Sequence, residues 1–454
     1  MDGLPFALIV LLVGAFVRAE NMLAALLLCC LFGATATVAL PGGAPITPAV
    51  LLLPFVVQRA LAERGLNASL RPLAGSAGFW LGLLVLWGVM SALFLPRVFA
   101  DATLVRGTDR ALMSGVQLLP LRPLSTNLTQ TAYALGGLAA FVAVRALLAA
   151  PGRLAKFADA VLLLAAANVG AAAINLAELY LGVPSVLQYV RNAGYAILVG
   201  GEIGGLLRIS GTFAETSAFS AFSLPLFAFC ASLWAAGYRT RRSGVLAALT
   251  LLLLLGSTSS TAYAGLGAYA AALGAAAALR ALWNTPRFGA VALLLWGAAV
   301  AVCLVLLLRP EIGQRVLDYL QLTLVRKMDS SSALERGSWN AQAWQNFLDT
   351  WGVGTGLGSA RASSYPLVLA SNLGVLGLLL YAAFLAHVFF GAAHGAEVDP
   401  IVIAARRAVL AALIAACISA VVFDLGLAFY AYAAAATCQE RLRRTSTGAH
   451  HAIA

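Results

Sequence analysis

Charge is scarce in this chain: of its 454 residues only 10% are Asp, Glu, Lys or Arg, against 61% hydrophobic. A water-soluble domain carries about 25% charged residues, so this composition excludes a chain whose main solvent is water. Histidine is limited to four residues and cysteine to six, with no CxxC or Cys/His spacing to build a metal site or a disulfide framework. Cys29, Cys30, Cys230, Cys303, Cys417 and Cys438 fall within or at the ends of apolar segments, where cysteine behaves as a small buried hydrophobe. No basic n-region or small-residue cleavage site opens the chain, so the first apolar stretch is expected to be retained. The short alternating pattern of a membrane β-barrel is missing too.

What is present is apolar length. Mean hydropathy is +0.90, and stretches such as 246–255 and 291–308 are too long and too apolar for core strands. A helix crosses the hydrocarbon with roughly 20 apolar residues, its backbone polar groups satisfied internally. Apolar runs bounded by charge predict spans near 4–17, 21–40, 46–61, 77–95, 129–150, 156–180, 213–236, 243–258, 261–281, 287–308, 366–390, 406–422 and 425–439. The expected fold class is all-α: a polytopic transmembrane helix bundle with about 12–13 spans. Residues 1–454 form a single membrane domain, with 309–365 as a periplasmic loop carrying short helices.

The net charge of +11 does not point to nucleic acid, because the basic residues lie in short clusters between apolar runs. Clusters at Arg59, Arg64 and Arg71, at Arg145, Arg153 and Lys156, at Arg239, Arg241 and Arg242, and at Arg406 and Arg407 read as cytoplasmic by the positive-inside rule. The alternation then places 96–128, 181–212 and 309–365 outside, with the C-terminus inside and the N-terminus unassigned. Those outside segments carry many arginines, among them Arg97, Arg122, Arg191, Arg208, Arg336 and Arg361. They are either solvated charges paired with neighbouring acids or a means of holding an anionic lipid phosphate, which suits the planar guanidinium fork. No internal repeat stands out, which lowers the weight of a transporter built from matched halves.

Three segments could carry chemistry. In Arg208-Ile-Ser-Gly-Thr-Phe-Ala-Glu215-Thr-Ser, Gly211 allows a turn, and Thr212, Thr216 and Ser217 are expected to cap the next helix. Arg208 beside a helix N-terminus would suit an anion. The hydroxyl-rich run 256–263 is expected to satisfy a helix break. The late segment shows helical spacing over 312–325, then Glu335-Arg336-Gly-Ser-Trp339, then a stripe of Trp339, Ala343, Trp344 and Phe347 that reads as packing against the membrane face. It ends in Gly352-Val-Gly354-Thr-Gly356-Leu-Gly358-Ser359-Ala-Arg361. With no strand before it, a dinucleotide turn is excluded; a loop exposing its backbone to a pyrophosphate or glycan is expected instead.

The order R-I-S-G-T-F-A-E-T, a hydroxyl-rich break, E-R-x-x-W, G-x-G-x-G-S-x-R and N-L-G-V-L-G resembles the O-antigen ligase/polymerase superfamily over roughly residues 200–440. The resemblance implies a multi-pass protein of the bacterial inner membrane. It implies transfer of a polyprenyl-diphosphate-linked glycan to an acceptor sugar at the periplasmic face, with no cofactor or metal, no nucleic acid, and a chain-length regulator as a candidate partner. Carried over residue by residue, Arg208, Arg336 and Arg361 would bind the substrate diphosphate. Ligases of this family carry a histidine in the late outside segment; residues 309–365 contain none, and a Ser-Arg pair expected at the hydroxyl-rich break is replaced by Thr258-Ser259-Ser260-Thr261. Both departures favour a Wzy-type polysaccharide polymerase over a lipid A–core ligase. Without histidine, Glu215 and Glu335 are the candidate catalytic carboxylates, each open also to a salt bridge with its neighbouring arginine. Ligation to lipid A–core or protein, and flipping of a lipid-linked oligosaccharide, are the alternatives. Asp159, Glu178 and Asp424 lie near predicted span ends, which disfavours transport.

Overall fold

The computed structural model describes residues 3–39, 45–74, 76–106, 118–194, 197–199, 201–203, 206–282, 331–391 and 398–438. The predicted span 287–308 and the helical pattern at 312–325 lie outside these residues, as does Cys303. The described residues form an all-α bundle of thirteen helices. They are α1 (Leu4–Phe16), α2 (Ala19–Cys30), α3 (Pro48–Leu70), α4 (Ala77–Val98), α5 (Ser125–Leu148), α6 (Arg153–Tyr180) and α7 (Thr216–Ala235), followed by α8 (Thr240–Gly256), α9 (Ser260–Leu282), α10 (Ser331–Asp349), α11 (Tyr365–Phe390), α12 (Pro400–Ser419) and α13 (Leu427–Ala436). Three antiparallel two-stranded ribbons decorate the connections: β1 (Val38–Ala39) with β2 (Pro45–Ile46), β3 (Leu104–Arg106) with β4 (Leu118–Pro120), and β5 (Glu202–Ile203) with β6 (Leu206–Leu207).

Six helices, α4, α5, α6, α7, α11 and α12, are long and apolar enough to cross a membrane; α1, α2 and α13 are shorter apolar helices. Leu86, Phe94, Leu163, Leu252 and Leu379 point outward. A surface of this kind belongs in lipid, where an apolar exterior costs nothing. The chain is a membrane protein. Helix starts follow local rules: Pro sits in the first turn of α1, α3, α11 and α12, where no N–H is required. Asp399 caps α12 by accepting the Ile401 N–H at 2.7 Å. The interior is closed by aromatic pairs such as Phe141–Phe384 and Phe157–Phe229, with ring centroids 5.9 and 6.2 Å apart. Buried alanines, Ala404, Ala405, Ala408 and Ala411, let α12 approach α7 closely.

The helices alternate between two ends. The three ribbons and the described connecting residues 31–39, 45–47, 99–106, 118–124, 181–194, 206–215, 257–259, 350–364 and 420–426 share the first end, tied by bonds such as Ala193 N–H to the Ala34 carbonyl (3.0 Å) and Tyr365 hydroxyl to the Phe423 carbonyl (3.0 Å). Gly3 packs against Ala36 and Thr37, so the start of α1 is at this end too, which the charge pattern left unassigned. The basic clusters predicted to be cytoplasmic sit at the second end. There Arg153 pairs with Glu63 at 2.8 Å, Lys156 with Glu20 at 2.6 Å and Arg239 with Asp159 at 3.1 Å. Cys417 is exposed, unlike the buried role expected of it.

Candidate functional site

The first end gathers the chemistry-bearing segments. Residues 208–215 leave the β5–β6 ribbon and are held from two sides. The Asn175 side-chain oxygen accepts the N–H groups of Ser210 and Gly211 at 2.9 and 3.0 Å, while buried Arg191 donates from Nε to the Gly211 carbonyl at 2.8 Å. Burial pulls the Arg191 pKa down and Glu178 opposes it. The expected hydroxyl caps on α7 do not form. Glu215 is itself the N-cap residue, Thr212 turns away to the Leu31 carbonyl, and Ser217 donates to the Glu215 carboxylate. The reason is the extended backbone at Glu215, which also bridges to Leu198.

The Gly-rich loop corrects a second expectation. Residues 354–360 are buried rather than open to a ligand. The Asn372 side-chain oxygen accepts three consecutive N–H groups, from Gly358, Ser359 and Ala360, at 3.0, 3.1 and 3.1 Å. Its amide donates to the Ala360 and Val368 carbonyls. Asn127 holds the other side, donating to Leu357 and Ser359, and Thr126 donates to the Gly358 carbonyl. The N–H groups that would greet a pyrophosphate are spent on a buried asparagine. The loop is thus an anchor, and what it presents is Arg361.

Arg361 is partly buried, its guanidinium 4.0 Å from the centroid of the Trp339 ring on α10. Burial lowers its pKa; the charges of Glu335 and Glu215 oppose that shift, and Arg336 adds to it. The structure therefore brings Glu215, Glu335 and Arg336 within electrostatic reach of Arg361, although the four come from three separate segments. Among the described residues, none of the four closes an ion pair. Glu335 is exposed on α10 and Arg336 half-buried beside it. Arg208 lies at the same end, half-buried at the ribbon's exit. The aromatic stripe of α10 divides: Trp339 is buried under Arg361, whereas Trp344 is exposed and stacks on Phe347 at 5.3 Å.

A cavity of about 360 Å³ opens between α7, α12 and the connection before α13, lined by Glu215, Ser217, Phe222, Ser419, Asp424 and Tyr432 among others. Asp424 is the residue that sequence reasoning missed as a site member; an acid just beyond an apolar run, two residues before a glycine, was the available signal. Burial raises its carboxyl from the usual range to about 6, while a hydrogen bond from the Gly426 N–H pulls the other way. The turn between α8 and α9 satisfies the helix break in part, as expected: the Tyr263 hydroxyl donates to the Leu255 carbonyl at 2.8 Å. Ser257 bonds to the Leu254 carbonyl, but among the described residues the buried hydroxyls of Thr258, Ser259, Thr261 and Ser210 make no hydrogen bond. Chemically, this end offers Arg336 and Arg361, which make no ion pair among the described residues, the Glu215 and Asp424 carboxylates around a cavity, and a set of buried hydroxyls. Such a set can hold an anion, hydrogen-bond a polyol and accept a proton.

Comparison with protein-family models, with curated proteins and with solved structures gives no match.

Proposed function

We propose that this chain is a glycosyltransferase of the bacterial inner membrane that polymerises polyprenyl-diphosphate-linked oligosaccharide repeat units at the periplasmic face, in exopolysaccharide, capsule or O-antigen assembly. The observation that carries the reading is that Arg361 lies within electrostatic reach of Glu215, Glu335 and Arg336, that none of the four closes an ion pair among the described residues, and that Glu215 lines the same cavity as Asp424. Unpaired guanidinium groups in a partly dry site are costly until an anion arrives, and a lipid diphosphate brings such an anion from the bilayer.

In the proposed step, an acceptor sugar hydroxyl attacks the anomeric carbon of the lipid-linked glycan. A carbon–oxygen bond forms, and the bond from that carbon to the diphosphate oxygen breaks, its electron pair leaving with the diphosphate. Arg336 and Arg361 stabilise the growing charge on the leaving group, with Arg208 on the segment leading to Glu215. The hydroxyl proton goes to a carboxylate as the bond forms, because a free sugar hydroxyl is too weak an acid to ionise beforehand. Glu215 and Asp424 line the cavity and suit that role; exposed Glu335 suits orientation of the arginines.

The test is reconstitution of the full chain in vesicles with lipid-linked repeat units. Longer lipid-linked glycans are expected. Movement of the substrate across the bilayer without new glycosidic bonds would overturn the proposal in favour of a flippase, and transfer to another acceptor without chain growth would make it a ligase.

A further inference from the structure

A second cavity, about 460 Å³, lies at the opposite end of the bundle. Four elements bring cationic or titratable groups to it: Arg71 from the short turn after α3, Arg145 from the last turn of α5, His387 from the last turn of α11, and Arg406 from the early turns of α12. Phe141 and Ser76 complete the wall. Among the described residues no carboxylate lines this cavity, and none lies within ion-pair distance of Arg71, Arg145 or Arg406. Elsewhere at this end Arg153, Lys156 and Arg239 each pair with an acid, while Arg59 and Arg64 donate to the Ala15 and Ala146 carbonyls. Internal bonds engage only part of the set: Arg406 Nε donates to the Ala436 carbonyl at 3.2 Å, and His387 Nδ1 meets the Ala383 carbonyl at 2.9 Å.

Three guanidinium groups converging on one partly apolar hollow repel one another unless a counter-charge enters. The cavity lies where spanning helices end, the depth at which lipid headgroups sit, and basic pockets between helix ends suit phosphate-bearing headgroups. We propose that this cavity is an anion site for a phosphate group, separate from the site at the other end. The shared chemistry is a phosphate anion, carried by an acidic phospholipid headgroup or free in solution.

The experiment uses the full-length protein in nanodiscs, with phosphatidylglycerol, phosphatidylcholine and inorganic phosphate as probes. Native mass spectrometry is expected to show phosphatidylglycerol retained about a hundredfold over phosphatidylcholine, at about 1 kcal/mol per arginine near the surface. The double variant Arg71→Gln/Arg145→Gln should lose about thirtyfold of that preference, two arginines' worth. Arg71→Gln alone, at an exposed rim position, should lose part of it with unchanged melting, which separates binding from folding. Arginine-dependent stabilisation by inorganic phosphate in phosphatidylcholine discs would assign free phosphate as the ligand; phosphatidylglycerol retention without it would assign the headgroup. Equal phosphatidylglycerol retention by wild type and both variants, with no stabilisation by phosphate, would overturn the proposal.

Discussion

The guanidinium of Arg361 rests 4.0 Å from the centroid of the Trp339 ring. Stacking on an aromatic face holds a planar cation in place while leaving its edge donors for an anion. Trp339→Ala is expected to lower elongation several-fold, since a partly desolvated cation–π contact contributes about 1–2 kcal/mol. Arg361→Lys should fare worse than its charge suggests, because an ammonium has no planar fork to stack or to bridge two phosphate oxygens. Glycan chain length in reconstituted vesicles reads both variants, and wild-type elongation by Arg361→Lys would argue against the stacked geometry.

Asn372 predicts a stability effect separate from chemistry. Asn372→Ala strips the acceptor from Gly358, Ser359 and Ala360 at once. Leaving such buried donors unpaired costs about 1–3 kcal/mol each, so a total loss of about 3 kcal/mol or more is expected. Asn372→Asp keeps the acceptor and should recover part of it. Thermal unfolding in detergent checks the order wild type, Asp, Ala.

Two glycines should respond in opposite directions. Gly358 sits at φ +86°, and a Cβ there would lie 2.5 Å from the Thr126 carbonyl oxygen, so Gly358→Ala is expected to cost more than about 2 kcal/mol. Gly337, within α10, has no atom within 4 Å of the Cβ position. Gly337→Ala should therefore stabilise the helix by about 0.5–1 kcal/mol. Melting temperatures of the two single variants settle the pair.

Asp424 makes the account sensitive to pH. Its folded-state value of about 6 lies above the ordinary aspartate value of 3.8, so the folded chain holds a proton that the unfolded chain releases between those two values. Stability from this group therefore falls as pH rises from about 4 to about 6, and the loss is complete above that. Asp424→Asn should remove this slope and be the more stable protein at pH 8. If ionised Asp424 takes the acceptor proton, elongation by wild type should rise through about pH 6, and Asp424→Asn should lose both the rise and most of the rate.

The bundle was legible because apolar length and flanking charge follow from the bilayer itself: the six consecutive helices α4 to α9 start and end within a few residues of the predicted spans, whereas α2 is shorter and α3 longer than predicted. The segments gathered at the first end were legible from the alternation of basic clusters. The Gly-rich loop was not. Its spacing reads as open backbone, and only the distant Asn372, brought back by the start of α11, shows that the loop is closed. Asp424 escaped for a related reason: whether an acid near a span end is solvated or enclosed depends on α7 and α12 packing around it, which no local pattern records.

The central claim is that Arg336 and Arg361 hold a lipid diphosphate while a glycosidic bond forms. Its most direct measurement is elongation of a lipid-linked repeat unit by reconstituted wild type, Arg336→Gln and Arg361→Gln at equal protein levels. Long glycans are expected from wild type and at least a hundredfold loss in each variant, the scale of removing one charge stabiliser from a transition state. Chain growth at the wild-type rate in both variants would contradict it.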